Sequence, residues 1–245
     1  LRIMRNGNIC SDAKSMAEAW ADYFEDLFGE DFICPNKLLD SKIRRQNEER
    51  RRTRTSGTLD QPFTSDDIRR AYAKLKRGKA KGPDEFEVEM LLAGGEPLRA
   101  AILSFINTLW EREAYPAEGS KGISFTLYKK GEPLDQDNYR GITLLSVVGK
   151  IFTRLLNARL TEHAETHNLI SQDQIGYRPH RTCSDHLFTM DQVLKDRRSR
   201  GKKTYLFFVD LRKAFDTVWH DGLLECLARR GIHGKMWRMI VKIYS

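Results

Sequence analysis

A run of five apolar and aromatic residues, Tyr205 to Val209, ends directly in a carboxylate, Asp210. This stretch constrains the fold more than any other part of the chain. A continuous apolar run of this length, bounded by polar residues, predicts a strand buried on both faces. The end of such a strand can meet solvent and ligand, and an acid there is a hard-oxygen ligand suited to Mg²⁺. The alternative is an acid that only ends the strand and caps the next turn.

The residues after Asp210 are consistent with a nucleotide site. The sequence Leu-Arg-Lys-Ala-Phe can turn sharply and expose the backbone N–H groups of Arg212 and Lys213, which could hold phosphate oxygens. Phe215 would then face the sugar. An aromatic wall against C2′ leaves no room for a hydroxyl and therefore selects deoxynucleotides.

A second element upstream carries further cations. GISFTLYKK (122–130) and NYRGITLL (138–145) predict two antiparallel strands joined by a loop. Lys129 and Lys130 lie on one arm of this hairpin and Arg140 on the other, so their charges can converge on a triphosphate. An ordinary solvated hairpin is the other interpretation.

Most of the remaining chain has apolar residues at helical spacing. A helix over 11–29 has Ser11 as its predicted N-cap and Gly29 as its stop, and another helix begins with a capping-box-like motif at Thr64. The other predicted helices are 85–93, 97–114, 146–168, 184–200, 219–230 and 234–244. Residues 30–62 lack clear periodicity and are interpreted as a linker.

Charge and composition limit the alternatives only weakly. The net charge is +8, but residues 41–57 alone carry +5, so the rest of the chain is only about +3. Arg50 to Arg54 could grip nucleic-acid phosphates or belong to a solvated linker. Four scattered cysteines fit a reducing compartment, and no apolar run reaches the roughly 18 to 20 residues of a membrane span.

Four ordered segments carry a resemblance to a known family. They are GKAKGPDEFEVEMLLAGGE, LYKKGEPLDQDNYRGITLLSVVGKIFTRLLNARL, QIGYRPHRTCSDHLFTMDQVL and FFVDLRKAFDTVWHDGLLECLARRGI. In this order they resemble the reverse transcriptases of non-LTR, LINE-like retrotransposons. The similarity covers residues 64–245 well and 1–63 loosely.

The resemblance implies a role for each matching residue. Asp210 would be the first metal-binding carboxylate, with Leu211 giving its carbonyl to the same Mg²⁺, and Phe215 would be the gate against ribonucleotides. The implied triphosphate ligands are Lys129, Arg140 and, as a less certain neighbour, Lys130. The implied neighbours of the template path are Gly176, Arg178 and Arg181. Asp216 and His220 would be structural, for example by capping the following helix.

The resemblance also implies an architecture and partners. The expected fold is α+β: a truncated right-hand polymerase with mainly helical fingers, a β-hairpin and the first palm strand. Residues 1–63 would connect an endonuclease to the polymerase, 64–203 would form the fingers and 204–245 would begin the palm. The implied partners are an RNA template, a DNA primer and dNTPs, without a membrane, and the implied location is the cytoplasm and nucleus.

The sequence departs from the family pattern in three places. Glu85 replaces the glycine of a common Gly-Pro-Asp-Gly turn, and a tryptophan common before the first hairpin strand is absent around Ser120 and Lys121. An aromatic-Ala-Asp-Asp motif, which supplies the second carboxylate pair of a two-metal site, is also absent. We therefore expect this RNA-directed DNA polymerase fragment to be inactive alone.

Two other functions compete with polymerisation. A degenerate or domesticated copy could keep a basic surface and bind RNA without catalysis. A phosphatase of the haloacid-dehalogenase type also places a nucleophilic Asp after an apolar strand. Those phosphatases require a second acid two residues later, where this chain has Arg212.

Overall fold

The computed structural model describes residues 3–5, 8–10, 12–29, 34, 36–52, 57 and 59–244. They are mostly helical with two small antiparallel sheets, in agreement with the α+β class. The strands are β1 (Ile3–Arg5), β2 (Asn8–Cys10), β3 (Gly122–Tyr128) and β4 (Tyr139–Leu145). The helices are α1 (Ala13–Phe28), α2 (Lys37–Arg52), α3 (Ser65–Ala73), α4 (Val88–Ala93), α5 (Gly95–Arg112), α6 (Ala117–Ser120), α7 (Val147–Thr166), α8 (Cys183–Ser199), α9 (His220–Arg229) and α10 (Gly234–Ile243).

The chain divides into two compact units. One comprises Leu1–Leu156 with Phe215–Ser245, and the other comprises Asn157–Ala214. The second unit contains the end of α7, all of α8 and the apolar run before Asp210. The division into connector, fingers and palm stays a prediction. None of the helices in the described part of the chain is long and apolar enough to cross a membrane.

Local capping explains where the predicted helices begin. The Thr64 hydroxyl accepts a hydrogen bond from the Asp67 amide, and the Asp67 carboxylate accepts one from the Thr64 amide. The predicted start of α3 is therefore confirmed. Ser11, predicted to cap α1, lies outside the described residues. Asp12 is the cap, accepting from the amides of Lys14 and Ser15.

Aromatic residues from three elements build the core of the first unit. The Phe63 ring lies 5.2 Å from that of fully buried Trp110 and 6.3 Å from that of Phe152. The Trp110 indole donates to the Asp60 carbonyl at 3.1 Å, so its one polar group is satisfied. Asn107 fixes the approach to α3, because its side chain bonds both the amide and the carbonyl of Phe63.

The interpretation of 30–62 as a linker was wrong for residues 37–52, which form α2. Asp40, Ile43 and Asn47 are buried at helical spacing, and α2 packs against α9. Only one of these three residues is apolar, so hydrophobic periodicity could not reveal the buried face. Arg50 pairs with Glu225, so its charge is partly compensated within the protein.

The predicted strand at 205–209 was also wrong. Within the part of the chain that the structure describes, the run forms no regular secondary structure, and its side chains are 52–91% exposed. A strand needs a neighbour for its backbone hydrogen bonds. Within the described residues, the two sheets are β1–β2 and β3–β4, and neither contains this segment. The β1–β2 hairpin itself was not predicted.

Candidate functional site

The β3–β4 hairpin brings the predicted fingers cations together. Its register pairs Leu127 with Arg140 and Tyr128 with Tyr139, and the Lys129 amide donates to the Asn138 carbonyl at 2.9 Å. Arg140 therefore lies diagonally across the ladder from Lys129, a relationship that separates Cα atoms by roughly 7–8 Å. The predicted hairpin is confirmed.

Strand alternation places Lys129 and Arg140 on the same face. Directly paired residues share a face, so Leu127 and Arg140 point the same way, and Lys129 lies two residues from Leu127. Lys130 has the opposite parity. Lys129, Lys130 and Arg140 are exposed, and within the described part of the chain none of them forms an ion pair.

The loop between the two strands is held by its own hydrogen bonds. The Tyr128 hydroxyl donates to the Gly131 carbonyl at 2.7 Å, and the Tyr139 hydroxyl donates to the Pro133 carbonyl at 2.8 Å. The Asn138 side-chain amide donates to the Glu132 carbonyl at 3.1 Å. These bonds give the cation-bearing end of the hairpin a defined conformation.

The segment after Asp210 turns as predicted. Asp210 and Leu211 precede a turn over 212–217, in which Lys213 has a φ of +49°. Asp210, Leu211, Arg212 and Lys213 belong to the second unit, and Phe215 belongs to the first. Phe215 is exposed. The roles of these residues stay predictions.

The described residues do not fit a complete divalent-metal site. Mg²⁺ is held by several oxygen ligands, and two-metal catalysis needs more than one carboxylate. Among the described residues there is no group of three or more His, Cys, Asp or Glu side chains that could hold a metal ion. Asp210 and the Leu211 carbonyl are therefore at most part of such a site.

Arg178 has a structural role within the second unit. Its guanidinium makes two hydrogen bonds to Glu165, at 2.9 and 2.7 Å, and donates to the Ser171 and Gln174 carbonyls. Its side chain is only 6% exposed. The hydrogen bond with Arg178 lowers the pKa of Glu165. Arg178 thus holds the 169–176 loop to the end of α7, and its role at the template stays a prediction.

The neighbouring loop is more open. Arg181 is exposed and donates to the Gln172 side chain at 2.8 Å, and a Cβ on Gly176 would meet no atom within 4 Å. Tyr177 and His180 both have positive φ, at +61° and +58°. This loop therefore presents a cation and an aromatic ring to solvent.

The Gly-Pro-Asp-Glu turn lies beside the end of β4. A Cβ on Gly82 would lie 2.5 Å from the Leu145 carbonyl oxygen, so only glycine allows this approach. Glu85 has a φ of +58° and donates its amide to the Gly82 carbonyl. The turn therefore does require positive φ at the position where this chain lacks the family's glycine.

Neither Asp216 nor His220 caps α9. Trp219 is the N-cap and makes no side-chain capping hydrogen bond, and His220 already lies in the first turn. The His220 ring instead lies 4.9 Å from that of Tyr244, and Asp216 lies in the preceding turn. The suggested capping role was wrong.

Residues missed by the sequence reasoning lie behind the hairpin. Trp20, in α1, places its ring 5.0 Å from the Tyr139 ring, and the Tyr23 hydroxyl donates to Asp137 at 3.0 Å. Gln136 donates to the Ala19 carbonyl at 2.8 Å. The aromatic stripe of α1 was visible in the sequence, but the surface it covers was not.

Comparison with known proteins identifies the class of domain. Residues 127–244 match the family described as reverse transcriptase (RNA-dependent DNA polymerase). This stretch includes the hairpin cations, the 176–181 loop and Asp210. The matched stretch is therefore similar to part of a reverse transcriptase domain.

The relatives specify which reverse transcriptases the chain resembles. It is 27% identical over 230 residues to the RNA-directed DNA polymerase from mobile element jockey of Drosophila melanogaster, covering 89% of this chain and 24% of the relative. It is 26% identical over 223 residues to the probable RNA-directed DNA polymerase from transposon X-element of the same species, with the same coverage of each.

A more distant match is 24% identical over 196 residues to the Pol polyprotein from the type-1 retrotransposable element R2 of Nasonia vitripennis, covering 79% of this chain and 18% of the relative. The resemblance to non-LTR retrotransposon reverse transcriptases is therefore confirmed. The chain spans less than a quarter of the length of these three relatives.

Proposed function

We propose that this chain contributes the fingers and the start of the palm to an RNA-directed DNA polymerase of a non-LTR retrotransposon. The observation that carries this proposal is the reverse transcriptase match over residues 127–244, a stretch that contains Lys129, Arg140 and Asp210. The resulting fold would be a right-hand polymerase, of which the described residues are one part.

The hairpin would hold the incoming dNTP. Lys129 and Arg140 share a face, are exposed and are diagonal neighbours, so both can approach one polyanion. Arg140 would supply a planar fork for phosphate oxygens, and Lys129 a point charge. Lys130, with opposite strand parity, would add charge from the edge of the loop.

The residues around the turn over 212–217 would have nucleotide-binding roles of their own. Asp210 would be the first metal-binding carboxylate, with the Leu211 carbonyl beside it, and the Arg212 and Lys213 amides would hold phosphate oxygens. Phe215 would exclude a ribose 2′-hydroxyl. Reverse transcriptases generally require divalent metal ions, but the described residues do not complete a metal site. We therefore assign no catalytic step to this chain alone.

The template would be RNA and the primer DNA. Gly176 and Arg181 would lie near the template path, where an open glycine and an exposed guanidinium suit a nucleic-acid backbone. Arg178 would act there through the loop that it holds. Location in the cytoplasm and nucleus remains part of the proposal.

RNA-templated primer extension tests this function. The wild-type protein from the complete reading frame that contains this chain should extend a DNA primer with dNTPs, and Asp210→Asn should abolish extension. Asp216→Asn is a matched control, since it changes an acid in the turn that follows Asp210 and has no proposed catalytic role. The 245-residue chain alone should extend nothing.

Two outcomes would contradict the proposal. Full activity of Asp210→Asn would show that the Asp210 carboxylate is not required for polymerisation. Absence of extension by the complete protein, together with retained RNA binding, would favour the non-catalytic RNA-binding alternative.

A further inference from the structure

The N-terminal helix α1 contacts the cation-bearing hairpin, although residues 1–63 were predicted to be only a connector. Three kinds of contact join them. The Gln136 side chain donates to the Ala19 carbonyl at 2.8 Å, and the Tyr23 hydroxyl donates to the Asp137 carboxylate at 3.0 Å. Edge-to-face packing adds apolar contact between Trp20 and Tyr139.

These contacts fall on the hairpin face opposite the proposed triphosphate ligands. Tyr139 is buried, and its ring lies against Trp20. A Cβ on Gly141 would lie 3.1 Å from a ring carbon of Phe24, so α1 approaches β4 closely there as well. Because successive strand residues point to opposite faces, the approach of α1 to Tyr139 and Gly141 directs Arg140 away from it.

The loop is held from the same side. Gln136 and Asp137 belong to a short 3₁₀ turn that leads directly into β4. The Met4 amide in β1 donates to the Leu134 carbonyl of the loop at 3.1 Å. β1 in turn packs on α1, since Ile3 shares a buried cluster with Ala19. The loop is therefore attached to β1 and α1 at several successive positions.

We propose that α1 is a positioning element of the nucleotide site. Tyr23 of α1 and Gln136 of the loop form the hydrogen bonds that join the two elements, and these bonds set the affinity for the incoming triphosphate. This inference rests on the proposed function of the hairpin. A hairpin with one uncovered face and cations at its tip can sample many orientations. Fixing the loop against α1 reduces that freedom before the ligand binds, so that less order must be gained on binding.

The experiment uses the 245-residue chain and a fluorescent dATP bearing a methylanthraniloyl group. The double variant Tyr23→Phe with Gln136→Ala removes both hydrogen bonds but keeps the Tyr23 ring in place. The control is Tyr115→Phe, which removes a hydroxyl that donates to the Gly119 carbonyl at 3.0 Å, away from the hairpin loop. Arg140→Ala tests the triphosphate ligand directly.

We expect the double variant to raise the dissociation constant about fivefold or more, up to about a hundredfold, the range that corresponds to two ordinary hydrogen bonds. Binding of the monophosphate analogue should be unchanged, because it lacks the phosphates that the hairpin would hold. Amide hydrogen exchange over 129–138 should accelerate in the double variant and not in Tyr115→Phe. That local readout separates loss of positioning from general destabilisation.

The outcomes separate the two proposals. If Arg140→Ala weakens binding but the double variant binds like the wild type, α1 does not position the site and the inference is overturned. If Arg140→Ala binds like the wild type, or the wild type itself does not bind, the proposed triphosphate site fails instead. Equal acceleration of exchange across the whole chain in the double variant would also contradict a positioning role.

Discussion

Asn47 donates hydrogen bonds from its side-chain amide to both the carbonyl and the carboxylate of Asp221, each at 3.0 Å. Asn47 is 1% exposed, and it accepts a hydrogen bond from Arg50 at 3.1 Å. These contacts join α2, in the predicted linker, to the first turn of α9. The N-terminal region is therefore packed onto α9, the helix that follows the turn over 212–217.

Replacement of Asn47 should destabilise the protein. Asn47→Ala removes the hydrogen bonds that a fully buried side chain makes to half-buried Asp221 and Arg50, which should lower the free energy of unfolding by about 1–3 kcal/mol. Urea denaturation measures the change. Arg45→Ala on the same helix, where the side chain is 84% exposed, should stay within about 0.5 kcal/mol of the wild type. Equal effects of the two substitutions would show that α2 is not packed through Asn47.

Glu225 should make stability depend on pH. Burial acts to raise the pKa of Glu225, but hydrogen bonds from Arg50 and Arg229 outweigh it, and the net pKa lies below the ordinary 4.5. A carboxylate with a lowered folded-state pKa stabilises fully above its unfolded pKa, and this stabilisation is lost as pH falls through the folded value.

Wild type and Glu225→Gln should therefore differ in urea midpoint at pH 7, with the wild type more stable. The difference should shrink as the pH falls below about 4.5, because the wild-type carboxylate becomes neutral. Taking the difference between the urea midpoints of the wild type and Glu225→Gln at each pH removes the contribution of the other acids. A difference that stays constant from pH 7 to pH 3 would contradict the ion-paired state of Glu225.

The turn at Glu85 should be stabilised by glycine. Glu85 has a φ of +58°, a conformation that costs an L-residue roughly 1–2 kcal/mol, while glycine loses roughly 0.5–1 kcal/mol of chain entropy. Glu85→Gly should therefore raise the free energy of unfolding by up to about 1 kcal/mol. Glu111→Gly, within helix α5, should lower it by about the same amount. If Glu85→Gly and Glu111→Gly lower the free energy of unfolding equally, the turn at Glu85 is not strained.

Phe215 should govern the choice of sugar if it is the proposed gate. Phe215→Val should raise the relative efficiency of ribonucleotide incorporation by at least about tenfold, because a smaller side chain leaves room for a 2′-hydroxyl. Single-nucleotide extension with rATP and dATP measures the ratio of their kcat/KM values. Phe105→Val, at an exposed position on α5, should leave the ratio unchanged. If the kcat/KM ratio is unaltered in Phe215→Val, Phe215 does not select against ribonucleotides.

The sequence predicted most helices and the hairpin, because their signals are local. The Thr64 capping box and the apolar spacing of α7 both lie within single elements, and both appear in the structure. The register that pairs Leu127 with Arg140 was not predicted, because it depends on the conformation of the connecting loop as well as on alternation. The candidate site was predicted from an ordered set of motifs. The roles of the individual residues in those motifs remain predictions.

The failures share one physical cause, which is dependence on distant partners. Helix α2 is stabilised by polar contacts to Asp221 and Glu225, and such contacts leave no apolar period in the sequence. Tyr205 to Val209 has strand composition, yet composition cannot supply the neighbour that a strand requires. The docking of α1 on the hairpin likewise depends on Tyr23 and Asp137 meeting across 114 positions.

Single-nucleotide incorporation on an RNA template tests the central claim most directly, namely that the hairpin cations bind the incoming triphosphate. Arg140→Ala and Lys121→Ala should be compared in the complete protein, since Lys121 is an exposed cation just before β3, at the far end of the same hairpin. We predict that Arg140→Ala raises the KM for dNTP about tenfold or more, whereas Lys121→Ala leaves it near the wild-type value. Equal KM values for the two variants would contradict the assignment of the hairpin as the triphosphate site.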